Sequence, residues 1–476
     1  MSDSFDKHSI IELSDAQSNK SSQEVNLTSI HVTGADQFSD KFLQKGLAPL
    51  LRTSDSTIGD LITDAQKSAS FFSGTDCFQN VDILIDKDLD YKQPTHSMLS
   101  TEVPMNLKAF VNLVPYRLKS VQFGSVHDSI YGHLLSLTYT NRNTSGIANY
   151  THLAATVNKL DAEKGQTITG TFKIPMANPI NKIVANFSAR NGTVSRFQSK
   201  NQVIGSAQFG FERHPLSNPS GIDCSFFGGL NFAKRSILNV ADSASDEVKT
   251  YAGDSLKQSL ILNLNFGRLD CIPASEGAFP LEGFKSNLRA EYTDLPFMSA
   301  QGSNNDKGDH FEKLEFNGAV FKSFLQDNIT FGCGIGCGNI RNLRPSVSDT
   351  VHFMDKFYVS MPGYGTLGLN NHSFIGGRSY FSYNFVLYTR LLFASKKSPL
   401  RTYFSLSGAK LCQNLDDLIN PETNINYLKS TASTGITYKV GDYAHCNIGY
   451  HWPLDVTDVS DIHPGIELNV SLYGDF

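Results

Sequence analysis

Hydrophobic and polar residues alternate along much of this chain. The carboxyl-terminal segment sets apolar positions against polar ones, namely Ile466, Leu468, Val470 and Leu472 against Glu467, Asn469, Ser471 and Tyr473. A two-residue period predicts a β-strand with one apolar face. The same pattern recurs over 260–266, 329–337 and 444–451. No stretch approaches the ~20 apolar residues of a membrane-spanning helix, so the pattern favours β structure.

From about Tyr116 onward, about sixteen strand-like segments are separated by polar or glycine-rich turns, an even number within the range known for transmembrane barrels. Alternation alone also suits a soluble sandwich, which buries its apolar face against a second sheet. A barrel instead turns that face to lipid. About forty residues separate the strands near Cys337 and Tyr380, far more than an ordinary loop contains. We therefore predict a membrane all-β protein with one oversized loop, over about 338–379.

The amino-terminal quarter has a different pattern. Residues 1–24 are rich in Ser, Asp and Gln, which predicts a disordered tail. Residues 25–115 predict a small domain of order β-α-α-β-β, with strands over 27–32, 78–85 and 103–114. Helices are expected after Ser39 and from Thr57. The barrel would then occupy residues 116–476.

Composition agrees with a barrel. Charged residues make up 18% and aromatic residues 11% of the chain, and a mean hydropathy of −0.23 fits strands whose two faces differ. The net charge of −5 gives no basic surplus, which argues against nucleic-acid binding.

The first twenty residues and the cysteines bear on the compartment. Residues 1–20 carry four acidic residues but no arginine and no apolar core, unlike a secretory signal or a matrix-targeting presequence. Seven cysteines without framework spacing suit reduced thiols. A barrel without such a leader predicts the mitochondrial outer membrane, with the plastid envelope as the alternative.

The sequence offers little sign of catalysis or cofactor binding. Gly363, Gly365 and Gly368 fit G-x-G-x-x-G, but without a βαβ unit they indicate a tight loop tip. Cys333 and Cys337 share a strand face and lack a third metal ligand. No nucleophile, base and acid appear in a recognisable context. We predict no enzyme activity, cofactor or metal.

Two histidines, His445 and His451, fall on the predicted lumen face of one strand together with Asn447. Solvated wall residues are the ordinary interpretation of such positions. A pH-sensing role is the alternative, because histidine titrates near neutral pH.

The predicted architecture resembles a superfamily of outer-membrane insertases, which join polypeptide-transport-associated (POTRA) modules to a barrel. Within the oversized loop, Asp355-Lys356-Phe357, Gly363-Tyr364 and Gly368-Leu369 resemble the family's sixth loop. Gly376-Gly377 with residues 380–392 resembles the strand that follows it. A single module without a leader resembles most the barrel subunits of the mitochondrial sorting and assembly machinery.

The resemblance implies that the chain inserts and folds β-barrel precursors in the mitochondrial outer membrane. Precursor strands would pair with an open edge between the first and last barrel strands. The implied partners are unfolded precursors, peripheral subunits of the machinery, intermembrane-space chaperones and the lipid bilayer. The small domain would lie in the intermembrane space.

The resemblance also assigns residues to this gate. Its first strand would run over about 118–126 and include Leu118, Val121 and Phe123, and its last strand would run from Gly465 to Leu472. The last strand also fits the family's client signal, polar-x-Gly-x-x-apolar-x-apolar, at four positions: His463, Gly465, Leu468 and Val470. Any mitochondrial barrel could carry that signal, so a protein- or solute-conducting channel is the main alternative. A soluble β-rich binding protein is a third.

One departure from the family concerns the loop tip. Where the family carries an aliphatic-Arg-Gly-aromatic tetrad, this chain has Met361-Pro362-Gly363-Tyr364. Packing and backbone bonds alone could hold the loop, or Arg378 could supply a guanidinium. We expect the tip, Gly363-Tyr364-Gly365, to fold into the lumen, with Tyr364 against a wall lined by small residues such as Gly332, Gly334 and Gly336.

Overall fold

The computed structural model describes residues 23–475 apart from seventeen internal stretches. These are 52–55, 89–104, 129–131, 159–165, 195–198, 215–221, 241, 243, 245, 272–278, 294–309, 344–350, 368–374, 392–397, 420–427, 441–443 and 455–463. The predicted tail over 1–24 therefore lies almost wholly outside the described residues, as does His463. The chain divides into two compact units. The first runs to residue 119 and includes 140–151 and 173–182, and the second contains the remaining residues.

The first unit contains the small domain. Its elements follow in the order β1 (Glu24–Thr33), α1 (Asp40–Leu51), β2 (Ser56–Thr57), α2 (Ile58–Ser73), β3 (Phe78–Lys87) and β4 (Met105–Pro115). The sheet order is β2-β1-β4-β3, with β1 parallel to β4 and the other pairs antiparallel. The structure thus has the predicted β-α-α-β-β elements and adds the two-residue strand β2.

Local chemistry sets the start of α2. The Thr57 hydroxyl accepts the Asp60 backbone N–H at 3.3 Å, and the Asp60 carboxylate accepts the Thr57 N–H at 3.2 Å. This reciprocal capping box satisfies two N–H groups that the first helical turn leaves unpaired. Apolar residues of both helices then bury against one face of the sheet: Phe42, Leu50, Leu61, Phe72, Val111 and Leu113.

Leu118 belongs to this small-domain core rather than to the gate strand. Its side chain is 7% exposed and packs in the same apolar cluster, and the first barrel strand begins only at Lys119. The prediction that placed Leu118 on the first gate strand is therefore wrong. An apolar side chain next to a strand end was indistinguishable in the sequence from one within it.

Sixteen strands close into one antiparallel barrel in the described part of the chain, which confirms the predicted fold class. Its first eight strands are β5 (Lys119–Asp128), β6 (Gly132–Asn141), β7 (Tyr150–Asn158), β8 (Gln166–Pro175), β9 (Asn181–Val194), β10 (Ser199–Arg213), β11 (Asp223–Val240) and β12 (Gly253–Cys271). A short helix, α3 (Asp246–Thr250), lies between β11 and β12.

The second half of the barrel contains the oversized loop. Its strands are β13 (Pro280–Tyr292), β14 (Phe311–Phe324), β15 (Ile329–Asn342), β18 (Ser379–Arg390), β19 (Leu400–Cys412), β20 (Lys429–Val440), β21 (Ala444–Pro453) and β22 (Gly465–Asp475). The loop between β15 and β18 carries a 3₁₀ turn (Phe353–Asp355) and a two-stranded hairpin, β16 (Val359–Met361) with β17 (Gly365–Leu367). A helix, α4 (Leu415–Ile419), follows β19.

The two faces of the barrel strands differ as the alternation predicts. Leu260 and Leu262 are exposed on the outer face of β12, whereas Ile261 between them is buried. Gly334 and Gly336 of β15 face the interior, where they line a cavity. No helix in the described part of the chain is both long enough and apolar enough to cross a membrane.

Candidate functional site: the strand seam and the lumen loop

The barrel closes where its first strand, β5, meets its last, β22. Described ladder pairs run from Gln122 opposite Asp475 to His127 opposite Val470. Val121 and Phe123 lie on β5 and are 38% and 46% exposed on its outer face. The structure therefore brings the predicted first and last gate strands together.

The last strand pairs with β21 on one side and with β5 on the other. Against β21, ladder pairs extend from Gly465 opposite His451 to Leu472 opposite Ala444. Against β5, the described pairs run from Asp475 to Val470, and residues 129–131, which follow β5, lie outside the described residues. Pro464, just before the strand, has no N–H to donate.

The predicted signal residues follow the alternation of β22. Leu468 lies opposite Ile448 and is 39% exposed, and its neighbour Ile466 is 77% exposed, so both face outward. Glu467 between them lies on the inner face, where its carboxylate reaches His451. Val470 has ladder partners on both sides, Cys446 and His127.

The oversized loop folds against the inner wall and ends in the β16–β17 hairpin. Gly363 has a φ of +77°, which L side chains rarely adopt, and Gly365 pairs with Met361. Tyr364 is 2% exposed and packs with Met361 and Ala409. Its hydroxyl donates to the backbone oxygen of Ser430 at 3.3 Å. The tip is thus compact, as the glycine pattern predicts.

The wall that receives Tyr364 is not the predicted one. Ala409 of β19 provides the small side chain beneath the ring, and the Lys429 ammonium lies 5.3 Å from the ring centre. Gly334 and Gly336 line the cavity beside the loop instead. Facing positions across a barrel depend on strand number and stagger, which alternation along one strand does not encode.

A second anchor holds the start of the loop. The Asp355 carboxylate lies 2.7 Å from Arg235 on β11 and 2.6 Å from Lys257 on β12. Lys257 also pairs with Glu291 on β13 at 2.5 Å. Burial alone would raise the pKa of Asp355, but the Lys257 and Arg235 cations outweigh it and hold that pKa below its usual range. The loop therefore contributes the anion and the wall contributes the cations.

Neighbouring groups enclose this ion cluster. Lys313 on β14 donates to the backbone oxygen of Asp355 at 2.8 Å and lies 4.3 Å above the Phe357 ring. His352 is 1% exposed and accepts the Met354 N–H through Nδ1 at 3.1 Å. Burial, reinforced by the Arg235 cation, lowers the pKa of His352 to about 3. The imidazole is therefore neutral beside the ions.

These contacts resolve the absence of arginine at the tip. Arg378 lies just before β18, where its backbone N–H donates to Cys412 and its carbonyl accepts from Ile340. Packing and hydrogen bonds of Tyr364 hold the tip, and the carboxylate of Asp355 provides a charged anchor at the start of the loop. In the sequence, Asp355 stands out only as part of the Asp355-Lys356-Phe357 motif, which does not indicate its partners. Charged residues at inward positions of successive strands were the one available signal.

A cavity of about 930 Å³ lies in the barrel interior beside β16. Polar side chains from successive strands line it and bond to one another: Asn287 donates to Asn265 at 2.5 Å, Asn265 to Ser225 at 3.2 Å, and Ser407 to Asn384 at 3.0 Å. Val359 and Pro362 of the loop form one of its walls. The lumen is therefore lined by both polar and apolar groups and is partly filled by the loop.

The family follows from comparison with known proteins. The sequence model of the Omp85 superfamily domain matches residues 126–466, well over half of the chain. The chain belongs to the Omp85 superfamily. It is accordingly an outer-membrane β-barrel of the Omp85 insertase and transporter class.

Other proteins resemble this Omp85 chain over different extents. The Sorting assembly machinery 50 kDa subunit of Saccharomyces cerevisiae (strain ATCC 204508 / S288c) is 33% identical over 114 residues. That match covers 22% of this chain and 23% of the yeast protein, so the chain spans about a quarter of that relative.

Solved structures share the fold at low identity. BamA from Haemophilus ducreyi lacking POTRA domains 1–3 superposes with a TM-score of 0.67 and 13% identity, over 95% of this chain and 85% of that one. CdiB from Acinetobacter baumannii gives 0.56 and 10%, over 95% and 74%. CdiB from Escherichia coli gives 0.52 and 10%, over 98% and 97%.

Proposed function

We propose that this chain inserts and folds β-barrel precursors into the mitochondrial outer membrane through a lateral gate between β5 and β22. The observation that carries the proposal is the seam itself, where the first and last strands close the barrel along pairs from Gln122 opposite Asp475 to His127 opposite Val470. If these two strands part, each presents an unpaired edge, which is a template for another strand. The partial match to the yeast sorting and assembly subunit supports the mitochondrial setting.

The physical task is to hydrogen-bond each precursor strand before it meets lipid, because an unpaired backbone group in hydrocarbon costs several kcal/mol. A precursor strand that carries the signal of the last strand would displace β22 and pair with β5 in the same register. Strand pairing and apolar burial supply the free energy. The proposed reaction therefore needs no nucleotide, cofactor or enzymatic step.

The remaining assignments belong to the same proposal. The small domain over 25–115 acts as a POTRA-like module in the intermembrane space, where it receives precursors from chaperones. Peripheral subunits of the sorting and assembly machinery complete the complex. The four-stranded sheet with two helices on one face supports this assignment.

Photo-crosslinking of an arrested precursor tests the gate. A crosslinking amino acid is placed at Val121, Phe123 or Ile466, one variant at a time, and a radiolabelled precursor is arrested during assembly. Leu262 on β12 is the matched control, because it is outward and 41% exposed like the gate positions but lies on a strand far from the seam. We expect adducts at the gate positions only. Equal adducts at Leu262, or none at the gate, would contradict the proposal.

The cavity in the lumen favours a second candidate function, conduction of solutes or polypeptides. In planar bilayers, a channel whose loop blocks the pore would show a larger conductance after replacement of residues 351–367 by a short linker. An insertase without a conducting path would show little current with either form.

A further inference from the structure

The loop tip lies directly on the strands next to the gate. The Thr431 hydroxyl on β20 donates to the Pro362 oxygen at 2.8 Å. A Cβ placed on Gly363 would lie 3.1 Å from Pro453 and 3.6 Å from the Cβ of His451, both on β21. The tip therefore lies against the backbone that positions His451.

His451 in turn contacts the last strand. It is 7% exposed, its Nδ1 lies 2.7 Å from the Ser433 hydroxyl on β20, and its Nε2 lies 3.2 Å from the Glu467 carboxylate on β22. A neutral imidazole can accept from Ser433 and donate to Glu467 at the same time. Glu467 lies on β22 three residues before Val470, at the end of the described ladder with β5.

We infer that His451 is a positioning residue that couples the loop tip to the gate strand. With the tip docked, His451 is fixed between Ser433 and Glu467 and restrains residues 465–469 on the β21 side. When the tip leaves β21, this restraint loosens and the β5–β22 ladder opens from its Val470 end. The inference rests on the proposed lateral gate and names the side chain that links the loop to it.

Disulfide trapping across the seam measures this coupling. In a cysteine-free background, one reporter pair replaces His127 and Val470, at the end of the described ladder next to residues 465–469. A second pair replaces Ser125 and Leu472, lower in the same ladder. The rate of disulfide formation after addition of an oxidant to the barrel in lipid vesicles reports how often each pair is closed.

We expect His451→Leu to slow trapping of the upper pair, at His127 and Val470, by about tenfold, which is the size expected for loss of one hydrogen bond to a charged group. The lower pair, at Ser125 and Leu472, should change little. His451→Gln keeps a donor and an acceptor and should trap at nearly the wild-type rate. His445→Leu is the matched control, because His445 lies on the same face of β21 but contacts Thr437 at 3.5 Å. Unchanged trapping in His451→Leu would mean that this position only packs, and would overturn the inference.

The link to the loop has its own test. Gly363→Ala is strained at φ +77° and crowds Pro453, so it should displace the tip and slow trapping of the upper pair in the same way. Combined with His451→Leu, it should add little further effect, because both act through one contact. An effect of His451→Leu without any effect of Gly363→Ala would show that the histidine is not coupled to the tip.

Precursor assembly in the same vesicles separates this inference from the proposed function. If trapping responds as expected while precursor assembly does not depend on the seam, the coupling stands and the insertase proposal fails. If precursors assemble through the seam while trapping ignores both His451 and Gly363, the coupling alone fails. Glu467→Gln, which preserves side-chain volume, repeats the test if a His451 variant does not fold.

Discussion

Asp355 puts a carboxylate between two cations in the barrel wall, and all three side chains are at most 10% exposed. Removing one member of such a group leaves the others charged and buried. Asp355→Asn should therefore destabilise the folded barrel by about 3–5 kcal/mol, the usual cost of breaking a buried ion pair. The measurement is the temperature at which the compact band on semi-native gels converts to the unfolded band.

The control for this change is Asp270→Asn. Asp270 is 60% exposed and lies 3.9 Å from Arg268, so its loss should matter little. Equal shifts in the two variants would mean that Asp355 does not anchor the loop.

His352 makes the docked loop sensitive to pH. Its pKa falls from an ordinary 6.5 to about 3 when buried, so the docked loop holds a neutral imidazole. Above pH 6.5 the docked and released states bind protons equally. Below it the released state gains a proton, so docking weakens as the pH falls from 6.5 toward about 3. Barrel stability should therefore fall between pH 7.5 and 5.5.

The isosteric change His352→Asn isolates that contribution. Asn can still accept the Met354 N–H that Nδ1 accepts in the wild type, but it does not titrate. The variant should lose part of the stability difference between pH 7.5 and 5.5 on the same gels. An unchanged difference would assign the pH dependence to other residues.

The Tyr364 side chain makes three kinds of contact, namely ring packing, a hydrogen bond to Ser430 and a cation–π contact with Lys429. The Met361 side chain packs in the same apolar cluster. Tyr364→Ala should cost about 2–4 kcal/mol of docking, more than Met361→Ala, and should impair client release. Tyr364→Phe removes the hydroxyl alone, at about 1 kcal/mol. The three variants are compared by how much radiolabelled client accumulates at the partly assembled stage. Wild-type kinetics in Tyr364→Ala would refute anchoring through this ring.

At the level of elements, β22 presents apolar side chains on its outer face, and its edge toward β5 is part of the proposed gate. Leu468→Asp with Val470→Asp places charge toward lipid, at roughly 2–4 kcal/mol near the midplane for basic residues and somewhat less for acidic ones. Insertion of the chain itself should fail, measured as loss of carbonate-resistant membrane association. Asn265→Asp, on a strand face that lines the cavity, should insert normally. Normal insertion of the double variant would refute the outward assignment of this face.

The elements show how far the sequence could predict this fold. The two-residue period revealed the strands and, with the turn residues, their number, because both signals are local. The length of the β15–β18 connection and its glycines indicated the loop and its tight tip for the same reason. Leu118 was misplaced, because a buried side chain at a domain boundary follows the same alternation.

The contacts of the loop were beyond local pattern. Ala409 beneath Tyr364, and Arg235 and Lys257 around Asp355, come from strands far apart in the sequence. Which of their residues face each other depends on strand order and stagger in the closed barrel. In the family the loop carries an arginine, whereas in this chain the loop carries the Asp355 carboxylate and the barrel wall carries the cations. The resemblance therefore could not indicate this ion cluster.

For the molecule as a whole, we expect the barrel to hold the chain in the membrane and the small domain to serve client transfer. A barrel whose outer face is apolar needs no soluble domain to remain in lipid. Deletion of residues 25–115 should therefore leave the barrel resistant to carbonate extraction while slowing client transfer. The deletion removes Asp76, which pairs with Lys182, and Cys77, whose thiol donates to the carbonyl of Arg142 at 3.0 Å. Asp76→Asn is thus the control for lost turn contacts alone.

The side of the membrane on which the small domain lies can be tested in whole mitochondria. An even number of strands returns the chain to the side from which it entered, so both ends of the barrel share one compartment. If that compartment is the intermembrane space, protease added to mitochondria with intact outer membranes should spare the small domain. Osmotic rupture of the outer membrane should then expose it, with a matrix protein as the control for inner-membrane integrity. Cleavage within residues 25–115 before rupture would place the domain in the cytosol and overturn the proposed orientation.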